Sequence, residues 1–79
     1  MDCPSLIEWT EHARVKAERE RFVLTDIEDA VLGHHEHRAR NPRQADWVLR
    51  VGRLVVVYDW PANGDAVRAR VISVWRAPR

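Results

Sequence analysis

The sequence predicts one α+β domain over residues 1–79, two short N-terminal helices packed on one face of an antiparallel sheet of three to four meandering strands. Three observations carry that expectation. Thr25-Asp26-Ile27-Glu28 has the spacing of a capping box, with Gly33 placed to stop the helix it opens. Glu11 to Arg21 is rich in helix formers with a thin apolar stripe of Ala13, Val15 and Ala17. From residue 45 to residue 76, β-rich runs alternate with Gly52-Arg53 and Asn63-Gly64, the two-residue signals of tight hairpins.

Taken in order, the start of the chain allows two readings. Ser5-Leu6-Ile7-Glu8 fits a capping box and could open a helix, or Ser5 to Trp9 is a strand and Thr10 caps the first helix; the strand is preferred. The second helix is expected at 26–32 with Ile27, Ala30 and Val31 inward. His35 to Arg40 is expected as a fourth strand, turning at Asn41-Pro42. Trp47 to Val51, Leu54 to Trp60 and Ala66 to Arg76 complete the meander.

Composition narrows the class. The chain is 46% hydrophobic and 32% charged, which suits a folded domain rather than a disordered tail. No apolar run approaches the ~20 residues of a membrane span, and Met1 is followed by Asp2 rather than a basic leader, so a cytoplasmic protein without membrane attachment is expected. One cysteine, Cys3, cannot form an internal disulfide. Net charge is +1, but it is unevenly laid out. Residues 1–33 hold eight acids and four bases, and residues 34–79 hold four acids and nine bases. Twelve of the thirteen bases are arginine, whose planar fork suits phosphate.

Two tight hairpins would sort the strand side chains onto two faces. With Val51 opposite Leu54 and Trp60 opposite Val67, one face collects Trp47, Leu49, Val51, Leu54, Val56, Tyr58, Trp60, Val67, Ala69, Val71, Ser73 and Trp75, an apolar set that the helices must cover. The other collects Asp46, Val48, Arg50, Val55, Val57, Asp59, Arg68, Arg70, Ile72, Val74 and Arg76, with His35 and His37 joining from the edge. In that register Asp59 faces Arg68, while Arg50, Arg70 and Arg76 lack an acid. Unpaired guanidinium groups on an apolar floor can hold phosphate oxygens; the plain alternative is a solvated face whose arginine stems cover valines.

Two further groups carry potential chemistry. His12, in the first turn of helix one, has the right side chain for proton transfer near neutral pH. His34-His35-Glu36-His37 invites a metal reading, but a strand would split its ligands between faces and nothing completes a site, so neither metal nor cofactor is expected. Phosphate-cradling glycine loops, CxxC pairs and serine-nucleophile motifs are absent from the sequence.

The order of elements resembles the RelE/ParE superfamily of small bacterial toxin-like proteins. Trp9-Thr10-Glu11-His12-Ala13-Arg14 is similar to the W-T-x-H-A opening of an uncharacterised branch, and Phe22 to Val31 to that branch's second-helix segment. Arg70-Val71-Ile72-Ser73-Val74-Trp75-Arg76 resembles the R-I-I-S-A-R of BrnT-like toxins. The resemblance implies a RelE-like fold and a toxin-like RNA-binding protein, ribosome-associated or free, in one form a metal-independent endoribonuclease. His12 would move a proton and Arg70 would hold the scissile phosphate. Arg50, Arg68, Arg76, His35 and His37 complete the expected RNA-binding set from the face assignment. The rival reading is a non-catalytic interaction module, a homodimer or the partner of an antitoxin-like protein. The chain lacks the lysine-rich sheet and terminal tyrosine of the stronger ribonucleases.

Overall fold

The computed structural model describes residues 3–41 and 43–78. Strand β1 (Leu6–Trp9) leads into helix α1 (Glu11–Arg19), then helix α2 (Leu24–His34), a single 3-10 turn at His35–His37, and strands β2 (Ala39–Arg40), β3 (Trp47–Val51), β4 (Leu54–Asp59) and β5 (Arg68–Arg76). The α+β class and the helix-helix-meander order are as expected. The sheet is larger and mixed, however: five strands in the order β1-β5-β4-β3-β2, with β1 parallel to β5 and the remaining pairs antiparallel. None of the described helices is long and apolar enough to cross a membrane.

Local chemistry accounts for α1. Thr10 is extended, its hydroxyl accepts from Ala13 N at 3.1 Å, and the same hydroxyl donates to Val71 O at 3.0 Å, so the cap also ties the helix to the sheet. The helix ends where Arg21 enters the left-handed region at φ 63° and Phe22 N donates back to Ala17 O at 2.8 Å, a closure usually given to glycine.

Helix α2 departs from expectation at both ends. Val23 is the N-terminal flanking residue, without a side-chain cap, and Thr25 lies inside the helix. Glu28 is drawn elsewhere: its Oε2 accepts from Trp9 Nε1 at 2.8 Å, a tertiary contact that displaces the capping box. Gly33 does not stop the helix, which runs to His34 and tightens into the 3-10 turn. Consequently His35–His37 are not strand residues, and only Ala39–Arg40 pair with β3. Asn41 N donates to Asp46 O, closing a loop that Asn41 Oδ1 bridges through Arg43 N and Gln44 N. Pro42, half of the expected turn, lies outside the described residues.

The core lies between the helices and one sheet face, where Ala13, Ala17, Ile27 and Val31 meet Leu49, Val56, Tyr58, Ala69, Val71 and Val74. At Gly52 (φ 61°) the β3–β4 hairpin is as tight as expected, with Val51 opposite Leu54. Asn63 and Gly64 both take positive φ and Ala62 bridges Asp65, so the second turn also forms. Asp65 then adds a turn of its own: its Oδ1 accepts from Val67 N at 3.0 Å, and its carbonyl from Arg68 N. Strand β5 therefore starts two residues late, with Asp59 opposite Arg70 rather than Arg68.

A two-residue slip keeps side chains on their faces, but the pairing shifts once more between Val57 and Tyr58. Tyr58 pairs with Val71 and Val57 with Ser73, leaving Ile72 as the extra residue of a bulge. Beyond it every side chain of β5 is reversed. Val74 enters the core and Trp75 leaves it. Arg76 pairs with Leu54 on the helix side, its Nη1 donating to Glu20 O at 3.0 Å and its guanidinium 4.0 Å from the Phe22 ring centre. Val67, expected in the core, is exposed.

Candidate nucleic-acid interface

On the face away from the helices, Arg50 and Arg70 do share a side, as the register required, over the buried Val55 and Val57. Their electrostatic setting is different from the expected one. Strand β1 lies beside β5 and brings Glu8 next to Arg70, whose Nε donates to Glu8 Oε2 at 2.9 Å. Arg68 is held by Asp65 at 3.1 Å and Glu8 at 3.4 Å. Asp59 adds a third carboxylate, its Oδ1 accepting from Asp46 N at 3.0 Å, and Asp46 Oδ2 accepts from Trp60 N at 3.1 Å. Arg50 alone of the three is without a carboxylate among the described residues; its Nε donates to Gly52 O. Acids and bases balance here, so the face makes a poor polyanion surface.

Removal of the carboxylate tests that balance. Glu8→Gln is expected to lower stability by less than about 1 kcal/mol, read from the denaturant midpoint, because both ion pairs are substantially solvent-exposed.

The remaining expected residues are dispersed. His12 is exposed in the first turn of α1, in the helical layer and so across the sheet from Arg70; the two groups assigned to proton transfer and phosphate holding are not brought together. Arg76 has gone to the α1–α2 corner. His37 is exposed, 3.7 Å from Glu36, and His35 is buried. No group of three or more metal-ligating side chains forms among the described residues.

A different cationic cluster forms at the β2 edge. Arg38 lays its guanidinium 4.1 Å from the Trp47 ring centre and 5.1 Å from that of Trp60, and Arg40 stands 5.2 Å from Trp47. The rings are fixed from behind, Trp47 Nε1 donating to Trp60 O at 3.0 Å and Trp60 Nε1 to Ala66 O at 2.9 Å. Arg38, Arg40 and Arg43 have no carboxylate partner among the described residues. Alternation along a strand at His35 to Arg40 sends Arg38 and Arg40 to the face opposite His35 and His37, and so away from the expected site. The readable signal was Arg38-x-Arg40 followed by Arg43, close to Trp47 in the sequence.

Behind this edge, His35 Nδ1 is 2.8 Å from the Tyr58 hydroxyl, and its ring meets Trp60 edge-on at 4.5 Å. Burial, then the charge of Arg38, pushes the imidazole below its ordinary pKa, against a weaker opposite pull from Glu36; burial pushes the Tyr58 phenol up to about 12. The unfolded chain therefore holds more protons on His35 between the folded value and 6.5. His35 contributes stability that is complete above about pH 6.5 and is lost as pH falls through the lowered folded value. A thermal midpoint that drops with acidification in this range, together with a His35 imidazole titrating below 6.5 by NMR, is the expected result.

Comparison with protein-family models, curated proteins and solved structures finds no match.

Proposed function

We propose that this is a toxin-like RNA-binding protein of the RelE/ParE type that holds single-stranded RNA by its phosphates along the β2 edge. One observation carries the reading: Arg38 and Arg40 stand over the Trp47 ring at a sheet edge, Arg43 follows in the adjoining loop, and none of the three is paired with a carboxylate among the described residues. Contact with the Trp47 ring restrains both guanidinium groups, and the Arg40 guanidinium makes no hydrogen bond to the described residues, so less side-chain freedom is lost when an anion binds. The element order and the Trp9 to Arg14 motif support the superfamily assignment. The separation of His12 from Arg70 favours binding over cleavage.

Fluorescence anisotropy with an unstructured labelled RNA, in chelator, tests the proposal. Binding should weaken in Arg40→Gln and stay nearly level in Arg70→Gln; the reverse order would return the site to the open face. Equal affinity for polyglutamate and RNA would favour an acidic protein partner instead. Full-length RNA recovered after incubation is the expected companion result.

A further inference from the structure

The β2 edge contains two buried donors with nothing to donate to. His35 Nε2 and Arg38 Nε are enclosed and have no hydrogen-bond partner among the described residues, in a residue pair joined by Arg38 Nη1 donating to His35 O at 3.2 Å. The proton on the imidazole can be placed. Tyr58 is fully buried and among the described residues its hydroxyl has no partner but His35 Nδ1, so the phenol, protonated throughout the neutral range, donates there and the imidazole hydrogen sits on Nε2. The alternative tautomer would strand the phenol hydrogen as well. Both orphans are thus N–H groups, and both belong to side chains packed on Trp60. Orphaned donors of this kind are rare in folded proteins and want an acceptor.

We propose that His35 Nε2–H and Arg38 Nε–H form a phosphate-binding seat in which one anionic oxygen accepts from both. The inference rests on the RNA reading above for its natural ligand and names the phosphate contact within it. Two donors, one carried on a guanidinium, suit a charged oxygen better than a neutral carbonyl. Arg38 also supplies the way in. The residue is half-buried and its guanidinium is held by one hydrogen bond and two ring contacts, with no carboxylate among the described residues, so rotation of its outer bonds admits the oxygen. An anion at Nε2 stabilises the imidazolium, so occupancy should raise the His35 titration midpoint against the opposition of Arg38 and alongside Glu36, with neutral Tyr58 facing Nδ1.

The experiment is a long-range nitrogen–proton NMR titration of histidine-labelled full chain with sodium phosphate, against sodium chloride at equal ionic strength. The His35 Nε2 signal and titration midpoint should move with phosphate alone. Arg38→Lys, which keeps the charge but lacks the Nε–H, should bind phosphate roughly tenfold more weakly, the loss of one charge-assisted hydrogen bond; circular dichroism confirms that the variant is folded. An unmoved His35, or equal phosphate binding in Arg38→Lys, overturns the seat. Short RNAs with and without a terminal phosphate separate the sources: a response to both assigns the seat to backbone phosphates, and a response only to the phosphorylated RNA assigns it to chain ends. RNA bound by anisotropy with His35 silent removes the seat and spares the RNA reading. Phosphate felt by His35 without RNA binding does the opposite.

Discussion

Tyr58→Ala is expected to remove a large share of the domain's stability, and to unfold it at room temperature if the parent lies near the low end of the range for its size. The side chain is fully buried against the helical layer, and removing a large core ring costs about 3 to 5 kcal/mol. A chain of 79 residues has about 4 to 12 kcal/mol in total. The truncation also removes the hydroxyl that occupies His35 Nδ1, leaving the imidazole with neither nitrogen satisfied. Tyr58→Phe separates the two contributions: it keeps the ring and should cost only about 1 to 3 kcal/mol, the penalty of the bond and its orphaned partner. Urea denaturation of the three proteins measures both differences. A Phe variant as unstable as the Ala variant would place the weight on the hydrogen bond rather than on packing.

The second large effect concerns binding. Arg40→Gln combined with Arg43→Gln should weaken RNA binding on the order of tenfold or more at ~0.1 M salt, and should flatten the dependence of log K on log salt by about 1.4, the counterions released by two phosphate contacts on a single strand. Both side chains are exposed, so the double variant should melt as the parent does. An unchanged salt slope would mean that neither arginine meets a phosphate.

Which parts of the molecule could be read in advance follows from how far the deciding contacts reach. Thr10 and the Gly52-Arg53 turn act on neighbours a few residues away, and each does what its chemistry demands. Thr25 and Glu28 had the same local logic and lost it, because Trp9, nineteen residues off, offered Glu28 a better donor. Asn63-Gly64 formed its turn, yet the register beyond it was set by the Asp65 side chain and then by the extra residue at Ile72. A bulge has no signature in side-chain alternation until its partner strand is known, which is why Arg76 and Trp75 were expected on the wrong sides. The site suffered most from the parallel pairing of β1 with β5. Glu8 stands 62 residues from Arg70, and only the fold shows that it neutralises the arginine on which the open-face site depended. The β2 edge is hidden differently: the residues from His35 to Arg40 read as one strand, and the 3-10 turn that buries His35 and sets Arg38 over Trp47 breaks that alternation.

That same parallel pairing governs the order in which the molecule can be completed. Leu6 through Trp9 find their neighbours only at Arg68 through Val71, so during synthesis the first strand must remain without a ladder until nearly all of the described chain has been made. The β3–β4 hairpin can form earlier from local contacts, whereas docking of the first strand and of α1 onto β5 closes loops of about sixty residues and belongs to the end of folding.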